Sequence, residues 1–372
     1  MCEQHSPNEI LSGQFIHSIR HPKEKKLFYI IACITIFFFS LAFTGTFFHD
    51  EIQDSIQKNI VTDYRDSLSE NEKNAVAALN DQEVLEKIPS DDKEILDFLN
   101  SYYYWYIVLG LPMGFFLLML YQIGKMYREN SANGILLTKN QYPVVYEVFE
   151  DLAKRTGFKE VPDLFLINGN GAINAYATYV PGYRDFAAVY SDLIDGCLKN
   201  NDLKTLKIVL GHELEHIRYN HVKWWYNLLV FIGNLTGANF ILGNPLSCIR
   251  EYSTDQLGAA LADDSTGECL MILAAGKHAY KDINLEEYEQ YQFMGEFWAT
   301  LSNALSDHSI TAWRIGAIST LSPKLLQSPK KVSQHIPSNK KTHPQFLESG
   351  VYSVFIVVVS VLSRIINKRG LL

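Results

Sequence analysis

Residues 205–222 read TLKIVLGHELEHIRYNHV, and the arrangement of the rest of the chain follows from this stretch. Leu206, Val209, Leu210, Leu214 and Ile217 recur at helical spacing, which predicts one helix with a buried face. His212 and His216 stand four residues apart on it, and side chains at i and i+4 lie one above the other on a helix. Two imidazole nitrogens one turn apart can converge on a single zinc ion. Glu213, beside that face, is placed to take a proton from water. Such a pair also arises by chance in surface helices, so a third ligand has to be found.

Arg250-Glu251-Tyr252-Ser253-Thr254-Asp255 supplies a candidate. A catalytic zinc site wants three protein ligands and an open fourth position, and Glu251 can complete that set. One turn on, Asp255 can accept a hydrogen bond from the non-ligating nitrogen of a zinc histidine and fix its tautomer. His221 lies five residues beyond His216, an offset that turns it away from the shared face, so it is read as structural, as is His278.

Outward toward the N-terminus, residues 27–48 (LFYIIACITIFFFSLAFTGTFF) and 102–124 (YYYWYIVLGLPMGFFLLMLYQIG) are uncharged and long enough to cross a bilayer as helices. The first run is longer than a signal-peptide core and has no small-residue cleavage site after it. Residues 49–101 between them are acidic, whereas Arg20, Lys23, Lys25, Lys26, Lys125 and Arg128 flank the pair on the outside. Positive flanks stay in the cytoplasm. Residues 1–26 are therefore expected as a cytoplasmic tail, 49–101 as an extracytoplasmic loop of helical fragments without chemistry, and 125–345 as a cytoplasmic domain.

Within that domain an amphipathic helix is predicted over 142–157, ended by Gly157. DLFLIN (163–168) and DFAAVYS (185–191) have strand-like apolar content across a Gly- and Asn-rich stretch, which suggests a small hairpin or meander. Residues 224–243 are apolar but interrupted by Asn and Gly. A single membrane crossing there would separate the two halves of the metal site, and two crossings need more residues than it offers. A hairpin against the membrane or a re-entrant segment is expected, with Trp224, Trp225 and Tyr226 as an interfacial anchor. Residues 350–366 are read as a third membrane helix or an interfacial one.

A net charge of −8 with no cluster of basic and aromatic residues excludes nucleic acid as a partner. The five cysteines are scattered and form no CxxC pair, so neither a disulfide framework nor a cysteine metal site is indicated, and a reducing compartment fits.

HELEH at 212–216 and EYSTD at 251–255, after two membrane helices, resemble the HtpX-type membrane metallopeptidases and, more distantly, the CAAX prenyl proteases, over about residues 139–320. The resemblance implies a mainly α (α+β) fold: a zincin-like metallopeptidase domain with a small β-sheet, attached to an N-terminal transmembrane helix pair. It implies one Zn2+ per chain on His212, His216 and Glu251, with Glu213 as general base and Asp255 behind the ligands. It further places an edge strand at Asn174, Ala175, Tyr176 and Ala177, where substrate backbone would pair by strand addition; a turn residue after Gly169 and Gly171 is the rival reading of Asn174. His308 would stabilise the oxyanion and Arg314 would brace the site. This chain has Ser309 where the family usually has proline after the histidine.

The activity so implied is a zinc endopeptidase acting on membrane or membrane-proximal proteins in quality control, held in a bacterial inner membrane with the peptidase domain facing the cytoplasm. Protein or peptide substrate and the lipid bilayer are its expected partners, and oligomeric state is open. Processing of a lipidated peptide is the rival within the enzyme class, although the CAAX proteases carry many more membrane helices. A non-catalytic, zinc-stabilised membrane scaffold is the rival outside it, and would fill the fourth ligand position.

Overall fold

A computed structural model describes residues 10–179, 184–291 and 296–325. In chain order its elements are α1 (Gly13–Ile19), α2 (Pro22–Phe47), α3 (His49–Ser67), α4 (Glu70–Val76), α5 (Asp81–Lys87), α6 (Ser90–Asn100), α7 (Tyr102–Trp105), a π-helical turn (Tyr106–Gly110), α8 (Leu111–Asn133), β1 (Ile135–Leu136), α9 (Pro143–Arg155), β2 (Asp163–Ile167), β3 (Ala175–Tyr179), β4 (Asp185–Tyr190), α10 (Ser191–Lys199), α11 (Leu203–Arg218), α12 (Trp224–Leu229), α13 (Gly243–Leu261), α14 (Met271–Ala279), α15 (Leu285–Tyr291), α16 (Glu296–Leu305) and α17 (Thr311–Leu325). The chain divides into two units, Ala32–Met126 and the remainder.

The unit formed by Ala32–Met126 holds the second apolar run and most of the first. The helices Pro22–Phe47 and Tyr102–Asn133 are long and apolar enough to cross a membrane. Phe37, Phe38, Leu41 and Phe43 on the first, and Met113, Leu117 and Leu118 on the second, are exposed. A core helix of a soluble protein would bury them. Between the two runs the acidic segment forms α3 to α6, opened by reciprocal caps at Ser69–Glu72 and Asn80–Glu83 and held by a small core of Val61, Val76, Val84 and Ile88.

The second unit is built on a four-stranded sheet in the order β1-β2-β4-β3. Here the structure corrects the expected hairpin or meander of 163–168 and 185–191. β2 and β4 are parallel neighbours, with Phe165 opposite Ala188, and the chain between them turns through Asn170 and Gly171 at positive φ to supply β3, antiparallel to β4 at the edge. Burial explains the order. Leu164, Phe165, Phe186, Ala187, Ala188 and Val189 are buried whichever way they point, as central strands require, whereas β3 is half-buried along its length. One face packs Leu164, Ala187 and Val189 against α9, α10 and α11; the other carries Tyr127, Phe165 and Phe186 in edge-to-face contact, with Tyr176 packed against them.

Residues expected to form an N-terminal tail are partly folded into this core. Leu11, Ile16 and Ile19 are buried in it, the Leu11 amide donates to the Arg155 carbonyl at 2.8 Å, and the Tyr219 hydroxyl donates to the Ile16 carbonyl at 3.0 Å. Residues 224–243 form α12 and two short 3-10 turns, and Tyr226 and Val230 pack with Leu246 and Ile249 against Leu27 and Ile31. Residues 350–366 lie outside the described residues.

Candidate metal centre

α11 carries the first half of the site and is fixed at both ends. Asp202 caps its start, accepting from the Thr205 amide at 3.0 Å and hydroxyl at 2.7 Å and from the Tyr280 hydroxyl at 3.0 Å. Leu206, Val209, Leu210, Leu214 and Ile217 are buried as their spacing predicts. The helix is shorter than expected: it stops at Arg218, Tyr219 caps it, and Asn220 takes a left-handed conformation (φ 64°) that turns the chain back. α13 crosses α11 and supplies the second half.

His212 Nε2 and His216 Nε2 lie 3.1 Å apart; Glu251 Oε2 is 3.6 Å from the former and Glu251 Oε1 is 3.5 Å from the latter. A tetrahedral ion bound at about 2.0–2.2 Å holds its ligand atoms roughly 3.3–3.6 Å apart, so two imidazoles and a carboxylate at these separations fit a zinc-like ion. The three are also the group of histidine and acidic side chains, among the described residues, spaced to share a metal.

Behind these three side chains a charged network holds their orientation. Asp255 Oδ1 accepts from His212 Nδ1 at 2.9 Å, and since a carboxylate can only accept, Nδ1 carries the proton and Nε2 keeps its lone pair for a metal. Arg314 clamps Asp255 from Nε (2.6 Å) and Nη2 (2.7 Å), and the same Nη2 lies 3.3 Å from Glu251 Oε2. Burial alone would raise the Glu251 carboxyl, but Arg314 and the hydrogen bonds of His216 and His308 overcome it and hold it well below the usual carboxylate range. Arg314, which the resemblance has bracing the site, stands behind the carboxylates of Asp255 and Glu251.

Glu213 is buried next to His212, and that burial, reinforced by the charge of Glu251, pushes its carboxyl up to about 7 against the opposing pull of His212, Arg314 and His308. A carboxylate poised there suits proton transfer near neutrality. His308 Nδ1 is 3.3 Å from Glu251 Oε2 while its ring stays largely exposed; the hydrogen bond to Glu251 raises its pKa. Ser309, where the resemblance led to an expectation of proline, has a structural role: its buried hydroxyl is hydrogen-bonded to the Tyr252 hydroxyl (2.6 Å) and Asn303 Oδ1 (3.0 Å), anchoring the loop that carries His308.

Ala175, Tyr176 and Ala177 lie on the edge strand β3, packed along α11, and Asn174 immediately precedes it, its carbonyl accepting from the Tyr190 amide at 3.0 Å. The Tyr176 hydroxyl donates to Asn130 Oδ1 at 2.8 Å, so that ring faces away from α11.

Near this cluster the sequence gives no role at the site to Arg20, Glu24 or Ser253, and it reads His221 as structural. The shortened helix returns His221 to His216, Nδ1 to Nδ1 at 3.1 Å, on the side of that ring opposite the Nε2 that faces His212. His221 Nε2 meets Glu24 Oε1 at 2.7 Å, and Glu24, fully buried, also bonds Arg20 and Ser253. The available signal was a single acid among Lys23, Lys25 and Lys26 just before an apolar run.

Residues 139–227 match the model of peptidase family M48, a stretch that contains β3, His212, Glu213 and His216 and stops short of Glu251. That match supports a metallopeptidase. No curated protein and no solved structure matches the chain.

Proposed function

We propose that the protein is a membrane-bound zinc endopeptidase that hydrolyses peptide bonds of membrane or membrane-proximal proteins. The observation that carries this reading is the convergence of His212, His216 and Glu251 with Glu213 buried beside them. Zinc held by the three would polarise a peptide carbonyl and make water a nucleophile near neutral pH. Glu213 accepts the proton from the attacking water and passes it to the leaving amine. Substrate backbone lies along the open edge of β3, adding a strand from Asn174 to Ala177, which fixes the scissile bond beside α11. His308, raised in pKa and exposed at the rim, is placed to donate to the developing oxyanion.

The two long apolar helices with exposed side chains support an integral membrane location, and the basic flanks support a cytoplasmic peptidase domain. A role in protein quality control at a bacterial inner membrane follows from the resemblance to HtpX-type enzymes. Glu213→Gln is the test: the variant should keep zinc, by metal analysis of the purified protein, and lose cleavage of an unfolded protein substrate. Undiminished cleavage would end this mechanism.

A further inference from the structure

We infer that Glu24 and His221 are positioning residues for the ligand His216, so that the segment leading into the first apolar helix is part of the metal centre. The inference rests on the metal reading above and deepens it.

The two histidine ligands are supported differently. His212 donates directly to a carboxylate, that of Asp255. Among the described residues, what His216 meets at its Nδ1 is not a carboxylate but Nδ1 of His221, at 3.1 Å. Two ring nitrogens at hydrogen-bonding distance need one proton between them, and the next partner decides which ring carries it. Glu24 Oε1 lies 2.7 Å from His221 Nε2 and, as an ionised carboxylate, can only accept. His221 therefore carries its proton on Nε2 and, as a neutral ring, presents a lone pair at Nδ1. That lone pair accepts the Nδ1–H of His216, which leaves His216 Nε2 unprotonated toward His212 and Glu251. Each ligand is thus held in its metal-binding tautomer by a carboxylate, directly on one side and through a second imidazole on the other.

The remaining contacts of Glu24 make it a fixed end to the chain. Arg20, one turn before it, neutralises its charge, and the Ser253 hydroxyl donates to its other oxygen. Ser253 lies between Glu251 and Asp255 on α13, so Glu24 is linked to both helices at once: to α11 by way of His221 and His216, and to α13 through Ser253. The His21 amide donates to the same Ser253 Oγ at 3.1 Å. A buried carboxylate is expensive unless its partners satisfy it, and here three do. The geometry of α11 is what permits the relay, because only a helix that ends at Arg218 and turns at Asn220 can return position 221 to position 216.

Loss of a partner that orients a ligand histidine lowers metal affinity about 10- to 100-fold. The experiment uses the full chain purified in detergent and measures Zn2+ affinity by competition with a chromophoric chelator, alongside the melting temperature of the metal-free protein. Glu24→Gln weakens the acceptor that sets the tautomer, and His221→Phe keeps a ring while removing both nitrogens. Both folded variants are expected to bind Zn2+ at least tenfold more weakly than wild type, with affinity lost even where the metal-free melting temperature is kept. If one of them does not fold, the other decides. A folded variant of either kind that binds Zn2+ as tightly as wild type would overturn the inference, as would a lowered melting temperature with unchanged affinity, the mark of a packing role alone. Wild-type protein that binds no Zn2+ would instead overturn the metal reading beneath it.

Discussion

Gly211 and Gly258 face each other where α11 crosses α13: a Cβ on Gly211 would stand 3.3 Å from Gly258 Cα, and a Cβ on Gly258 would stand 2.7 Å from the Ile208 carbonyl oxygen and 3.3 Å from the His212 amide nitrogen. Both neighbours of Gly258 are backbone, so neither can rotate away. The absence of side chains at this crossing is what lets Glu251, two turns earlier on α13, come within ligand distance of both histidines. Gly258→Ala should therefore force the helices apart, destabilising the domain by about 1–3 kcal/mol. Zinc affinity should fall with it, and a chelator-competition titration beside a thermal melt checks both.

Arg314 is buried between two carboxylates, bidentate to Asp255 and 3.3 Å from Glu251. Arg314→Met would leave both anions without their cation, and breaking a buried pair in this way costs about 3–5 kcal/mol. The metal-free variant should melt far below wild type. Added Zn2+ should recover part of the difference, because a bound cation replaces the charge beside Glu251. Calorimetry with and without Zn2+ measures it, and equal melting temperatures for metal-free variant and wild type would contradict the role given to Arg314.

Glu215 lies inside the HELEH motif and faces away from the ligands. Both its oxygens are buried with no hydrogen-bond partner among the described residues, and burial pushes its carboxyl up to about 8. Below the ordinary carboxylate range both folded and unfolded chains hold the proton, and Glu215 carries no pH-dependent penalty. As pH rises from about 4.5 to about 8 the unfolded chain releases the proton and the folded chain keeps it, so stability falls, at up to about 1.4 kcal/mol per pH unit. Glu215→Gln abolishes this titration. Its stability relative to wild type should rise steadily between pH 5 and pH 8, read from melts in matched buffers, and a pH-independent difference would contradict a neutral buried Glu215.

Ser309 ties the loop of His308 to Tyr252 and Asn303. Ser309→Ala removes both bonds and leaves the buried Tyr252 hydroxyl without that partner, a loss of about 1–3 kcal/mol. Peptide cleavage should drop about tenfold as His308 loses its placement, with zinc content unchanged. Cleavage at the wild-type rate would remove His308 from the mechanism.

Much of the candidate centre is legible in the sequence because it depends on local spacing. His212 and His216 share a face at i and i+4, and so do Glu251 and Asp255, whatever the rest of the chain does. The apolar positions of α11 are equally local. What escapes is set by tertiary contact. The two strand segments look alike in isolation, and only burial on both faces makes β2 and β4 parallel neighbours with β3 beyond them. The end of α11 at Arg218 depends on Asn220 adopting positive φ, an option open to many asparagines and taken by few. Glu24 is about 200 residues from its partner His221, and no periodicity links them. The glycine pair at the helix crossing likewise reads in sequence as two weak helix positions.

The proposed mechanism requires one ion held by two imidazole nitrogens and one carboxylate, with a position left for water. X-ray absorption at the zinc edge on the full-length protein, compared with a Glu251→Gln variant, tests this most directly. One zinc per chain is predicted, with two nitrogen ligands from imidazole and light oxygen ligands at about 2.0–2.2 Å, and with the oxygen shell altered and zinc weakened in the variant. A chain that retains no zinc, or a zinc coordinated by sulfur or by four protein groups, would contradict it.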